Sequence, residues 1–368
     1  MCPSPHFYAV SGRSLHGVEL RLYQTRRFRH GPSLMKSRAW LLGTLLCLAS
    51  APLSAATVVF VALGPANRII AIDTARHAPV RSLLGVTDAR AVVAGEEGLL
   101  VAGSFNETHA EGGYKSELYV IDPVHGHAVF TLPVAGRIRA QAMAADGRSV
   151  ISLHPTWNGV SVFDLHGLQI VRYLKTGNEP SAVAVRRLEP RAYVSNAGDG
   201  LITEIDTREW RIVRQWDQSR APRQLLLTRD ETRLLVGEPE QGTVALLDLT
   251  ADRVERRIQV GKGFHSLALG DDGRSLYIGG PGTEVRMLDI ESGATQQAEL
   301  GAAPGHMNVI SGTGVLYVAS REQPVIWVLN QRDLQLLETI ELPAGEAFQA
   351  AMLSGVAAEP TPPAPGTQ

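Results

Sequence analysis

From Pro180 to Trp216 the chain alternates apolar and polar residues in four short runs separated by turn-forming residues. Pro180 to Val185 predicts a strand, Leu188-Glu189-Pro190-Arg191 a turn, and Ala192-Tyr193-Val194-Ser195 a second strand. A loop at Asn196 to Gly200 leads to a third strand ending at Ile205-Asp206, and Val213 to Trp216 reads as a fourth. Short β-rich runs bounded by Gly, Pro, Asn and Asp are the strand-and-turn signature.

The same unit recurs along the chain. Its third strand ends in an apolar-Asp pair at Ile72-Asp73, Ile121-Asp122, Phe163-Asp164, Ile205-Asp206, Leu247-Asp248 and Leu288-Asp289, with Leu329-Asn330 as a degenerate copy. The spacings are 49, 42, 42, 42, 41 and 41 residues. Seven copies of four strands at this period predict an all-β chain, a seven-bladed β-propeller. The six Asp residues are expected to set turns by accepting backbone N–H bonds two residues on, not to act as catalytic acids.

The first blade starts at Val58 with its second strand, so its innermost strand is missing from the N-terminal side. Phe348 to Leu353 matches the innermost-strand pattern of Phe264 to Leu269. The C-terminal strand is therefore expected to complete blade one and close the ring, removing two sheet edges. The spacing of 49 comes from an insertion at 104–117, expected as a long loop between the second and third strands of blade two. Insertions on one face of a repeat protein often lie at the binding face. Residues 57–354 form the predicted propeller, and residues 355–368, with four prolines in the last nine, a disordered tail.

Residues 1–34 carry five Arg against one Glu and no repeat pattern. Residues 35–56 read as a secretory signal peptide: Lys36 and Arg38, an apolar run from Ala39 to Ala49, and Ser54-Ala55-Ala56 before a cut. Met35 is then read as the start, with 1–34 as upstream sequence; the alternative is a long basic n-region. The expectation is a periplasmic or secreted protein with no membrane span in the mature chain. Both cysteines, Cys2 and Cys47, precede the cut, so the mature chain would hold no disulfide, thiol nucleophile or covalent haem attachment. The whole chain has 35 basic and 37 acidic side chains; without residues 1–56 it has 28 and 36, net −8, which disfavours nucleic acid as a partner.

Tyr193-Val194-Ser195-Asn196, Tyr277-Ile278-Gly279-Gly280 and Tyr317-Val318-Ala319-Ser320 resemble the YVTN-type propeller repeat of exported bacterial YncE-like proteins. More distantly, the chain is similar to the β subunit of quinohaemoprotein amine dehydrogenase. The resemblance implies fold more than activity.

In this strand order the blade entries and the loops between second and third strands share a face. Counting along the repeat assigns to that channel mouth Asp88, Arg139, Ser181, Arg223, His265, Gly305 and Gln349, with His306 one step on. The neighbouring loops add His154, Trp157, Asn196, Glu238, Glu240, Arg321 and the 104–117 insertion. Arg139, Arg223, His265 and His306 together would favour an anionic or metal-bearing ligand; the bland alternative is a solvated polar rim. His125 and His127 form an HxH pair on the opposite face, too few for a metal alone. Trp210 and Trp216 are expected to pack between blades. The reading taken is a non-catalytic binding or scaffold module for a protein partner or small anion, with no cofactor predicted. The alternatives are a propeller oxidoreductase, or a subunit supporting a non-covalent haem or quinone, and, more weakly, a lactonase-like hydrolase.

Overall fold

The computed structural model describes residues 57–95, 98–110, 113–217, 221–343 and 347–353. The segment 1–34, the expected leader 35–56 and the expected tail 355–368 lie outside the described residues. The strands form seven antiparallel sheets arranged as the blades of a β-propeller. Each innermost strand lies against that of the next blade, and the series returns from the last to the first.

Burial explains the pattern of residues across a blade. In blade three, Ser149–His154 and Gly159–Asp164 are buried throughout, whereas the outer strand Gln169–Lys175 is mostly exposed. Middle strands are covered on both faces by neighbouring blades and so read as near-continuous apolar runs. The apolar cores lie between blades. Tyr193 and Trp216 of blade four pack with Leu225, Leu234 and Val236 of blade five. Their rings stack at 5.7 Å between centroids, so Trp216 is the inter-blade aromatic expected of it. Trp210 packs against the cluster of Ile151, Val160 and Ala192, joining blades three and four. The tyrosines of the repeat, Tyr193, Tyr277 and Tyr317, are all buried, and Tyr277 donates to the Gln331 carbonyl at 2.6 Å.

The ring closes as the sequence predicts. Ala347–Leu353 pairs antiparallel with Val58–Leu63, matching Val58 to Leu353, Phe60 to Ala351 and Leu63 to Ala347.

The repeated Asp is a turn-setter. Asp73 Oδ1 accepts the N–H groups of Ala75 and Arg76 at 2.8 and 3.2 Å, and Asp206 Oδ1 those of Arg208 and Glu209 at 2.9 and 3.0 Å. Asp122, Asp248 and Asp289 do the same. Asp164 likewise accepts the Gly167 N–H at 3.0 Å, three residues on, with the Arg148 guanidinium on the same carboxylate. In the degenerate copy, Asn330 Oδ1 accepts the Arg332 N–H at 2.8 Å, because an amide oxygen serves the same purpose.

The insertion in blade two differs from the expected loop. Thr108–Ala110 pairs with the start of a lengthened third strand, Gly113–Asp122, to make a fifth strand in that sheet. The lengthened strand continues the hydrogen bonding of its fourth-strand partner, His127–Ala135, out to Lys115.

Candidate functional site

Irregularities in the innermost strands shape the channel. In blade two the ladder slips between Ala89 and Ala91, in blade four between Pro180 and Ala182, and in blade seven between Pro304 and Met307. The bulged residues are Arg90, Ser181 and the pair Gly305-His306. A bulge removes a residue from the ladder and re-aims its side chain. In blades three, five and six, Arg139, Arg223 and His265 each donate their backbone N–H to the neighbouring strand just before the innermost strand begins.

These positions converge on one cavity of about 560 Å³. Arg90, Arg139, Arg223, Arg321, His265 and His306 line it, and among the described residues no Asp or Glu does. Arg139, Arg223, His265 and His306, assigned to one mouth from the repeat register, are thus brought together. Arg139 and His306 are both accessible to solvent and enclosed by protein, because the water they meet is that of the channel. Enclosure, aided by the like charges of Arg139, Arg321 and Arg90, pushes the His306 imidazole down to about 4. His265 is lowered by burial and by Arg321. Arg139 is lowered by burial and by Arg223, with Glu179 opposing. At neutral pH the arginines therefore carry the charge, and the histidines serve as neutral hydrogen-bonding groups.

Other assigned residues take different places. Asp88 stands two residues before the lumen position. Its carboxylate pairs with Arg90 at 2.9 Å, and Arg90 is the side chain in the cavity wall. Asp88 has a left-handed backbone (φ 41°), as do Glu179 (φ 52°) and Ala221 (φ 51°), each two residues before Ser181 and Arg223. His154 is wholly buried inside blade three. Its Nδ1 faces the Gly136 carbonyl at 3.1 Å and must donate to it, so Nε2 accepts from the Ser161 hydroxyl at 2.7 Å. Asn196 is also wholly buried, bonded to the Gly177 N–H, the Leu201 carbonyl and Thr203 Oγ1, each at 3.0 Å. Glu238 is buried and accepts from Thr243 Oγ1 at 2.6 Å and Arg257 Nε at 3.2 Å. Trp157 packs edge-on to His154 and Tyr173 under the Lys175 ammonium. Gln349 lies on the closing strand Ala347–Leu353. The His125 and His127 rings are held in their own turn, by Asp122 at 2.6 Å and the His125 carbonyl at 3.2 Å. Among the described residues no group of three or more His, Cys, Asp or Glu is placed to hold a metal ion.

The register did not flag Arg90, Arg137 or Glu179, and it flagged Phe105 only as part of the 104–117 insertion. Phe105 lies at the mouth with the guanidinium groups of Arg90 and Arg137 over its ring, at 4.4 and 5.0 Å from the centroid. It stands directly after the second strand of blade two, at the start of that insertion.

No protein-family model matches the chain, and no curated protein matches its sequence. Among solved structures it is similar to a putative 6-phosphogluconolactonase from Bacteroides uniformis, with a TM-score of 0.66 at 14% identity, over 81% of this chain and 99% of that one. It is also similar to Kuenenia stuttgartiensis hydrazine synthase, with a TM-score of 0.61 at 15% identity, over 73% of this chain and 96% of that one. At such identities the likeness is one of fold: the chain is a seven-bladed β-propeller.

Proposed function

We propose that this chain is an exported, non-catalytic β-propeller of the YVTN-type repeat class that binds a small anionic ligand at its channel mouth. One observation carries the binding reading: four arginines and two histidines, with no carboxylate among the described residues, line the 560 Å³ cavity. Such a wall favours negative charge, and its low-dielectric surroundings strengthen the attraction. The same wall weakens the case for a metal-dependent hydrolase, which needs oxygen ligands converging on the metal. The signal-peptide pattern at 35–56 supports export to the periplasm or beyond.

The test is calorimetric titration of the chain from Thr57 with sulfate, phosphate and succinate. Saturable binding in wild type, reduced at least about tenfold in Arg139→Ala and in Arg223→Ala, is expected from loss of a charge-assisted contact. Heat-silent titrations with all three anions, or binding that ignores both substitutions, would refute the reading.

A further inference from the structure

The cationic collar is broken at blade four. Where its neighbours present Arg139 and Arg223, blade four presents Ser181, whose hydroxyl lies 2.9 Å from Ser195 Oγ and 3.0 Å from the Pro222 carbonyl. Through this gap the channel meets a second cavity of about 310 Å³, which shares Phe105, Arg139, Ser181 and Arg223 with it. Arg139 and Arg223 therefore belong to both spaces.

The second cavity adds one group of opposite sign. Among the described residues, Glu179 is the only carboxylate that lines either cavity. Its side chain is exposed to the cavity, and among the described residues its carboxylate makes no hydrogen bond or ion pair. Its backbone is fixed from both sides: the N–H donates to Asn158 Oδ1 at 3.0 Å, and the carbonyl accepts the Ala197 N–H at 3.0 Å. The left-handed backbone at Glu179 recurs at Asp88 and Ala221, so it belongs to the repeat, but the unpartnered carboxylate at the Arg139–Arg223 gap does not.

A carboxylate carried on this fixed backbone repels a simple anion arriving at the arginines beside it. It raises affinity only for a ligand that offers it a cation, and so acts as a selectivity element. Resting on the anion-binding reading above, we propose that the ligand is a net-anionic small molecule bearing one ammonium group. Its anionic group lies between Arg139 and Arg223, and its ammonium on Glu179. An acidic amino acid has this chemistry.

Matched pairs test this. Aspartate and succinate differ by one ammonium group, and malate replaces that group with a hydroxyl. Wild-type protein is expected to bind aspartate about tenfold more tightly than succinate, as one charge-assisted contact would give. In Glu179→Gln the preference should fall to near unity, with succinate bound more tightly than by wild type and the melting temperature unchanged. Succinate bound as well as aspartate by wild type would overturn this proposal and leave the anion site standing. So would a preference for malate over aspartate, or an aspartate preference that survives Glu179→Gln. Binding of neither acid would overturn both readings. The wild-type comparison needs no variant, so a misfolded substitution cannot rescue the proposal.

Discussion

Asn158 Oδ1 holds the backbone N–H of Glu179 at 3.0 Å, across the junction between blades three and four. Asn67 holds Asp88 in the same way at 2.8 Å, at the junction of blades one and two. In both cases the two residues are 21 apart and the asparagine is itself left-handed, with φ 58° and 52°. Asparagine tolerates this backbone, as glycine does, and also supplies the short acceptor that glycine lacks. The clasp places the residue two positions ahead of each lumen side chain.

Asn158→Gly keeps the left-handed backbone and removes the acceptor. It is expected to lower unfolding stability by about 1 kcal/mol, the usual net value of one hydrogen bond. Asn158→Ala should cost about 1 kcal/mol more, because alanine resists that backbone. Urea unfolding of the two variants, compared with wild type, measures the difference.

His154 makes stability fall in mild acid. Burial holds its folded-state value near 4, below the ordinary 6.5. Between these values the unfolded chain binds the proton and the folded chain does not. The contribution is complete above pH 6.5 and is lost as pH falls towards 4, reaching about 3 kcal/mol. The lowered Asp residues act further down: Asp289, held near 2 first by the Ser292 N–H, keeps its contribution above the usual carboxylate range and loses it as pH drops towards 2. Denaturant unfolding at pH 7.5, 6, 5 and 4.5 should show the loss in wild type, and a shallower slope in His154→Gln.

Anion binding should strengthen in mild acid. Burial, and after it the neighbouring arginines, lower His306; a bound anion would offset the arginine charge and raise it part of the way back. Binding then takes up a proton, so affinity rises as pH falls from neutral towards 4. Sulfate does not titrate in this range, which makes it the suitable probe. A pH-independent sulfate affinity in wild type, or a pH dependence unchanged in His306→Gln, would contradict this linkage.

Residue pattern alone made the fold legible, because six copies of an apolar-Asp strand end and a seventh ending in Asn keep register. Even Asn330, which breaks the pattern, performs the same hydrogen bonding. The site was legible only in part. Arg139, Arg223, His265 and His306 could be counted onto one mouth, since the period carries residue position from blade to blade. Arg90 was missed because the count fell on Asp88, two residues early, and a bulge between Ala89 and Ala91 leaves no mark in sequence. His154 and Asn196 lie in the correct loops by number, but their side chains turn inward to satisfy backbone groups. Burial of that kind depends on tertiary packing, which repeat spacing does not encode. Glu179 gave no signal because its meaning comes from the gap that Ser181 leaves beside it.

Closure of blade one should dominate stability out of proportion to its length. Removing residues 347–368 would strip Val58–Leu63 of a partner and leave blade one with three strands where the other blades keep at least four. The expected outcome is a melting temperature lower by more than about 10 °C, since several kcal/mol are lost from a chain of this size. Removing only residues 354–368 should leave it unchanged. Differential scanning calorimetry of the two truncations separates the contribution of the closing strand from that of the last fifteen or so residues.

That fastening also has a mechanical side. Val58 and Leu353 face each other at one end of the closing pair, and Ala347 faces Leu63 at the other. A load applied between residues 58 and 353 would peel the antiparallel ladder one rung at a time, rather than shear all its rungs together. The ring would thus resist heat far better than it resists being pulled apart by its own two ends.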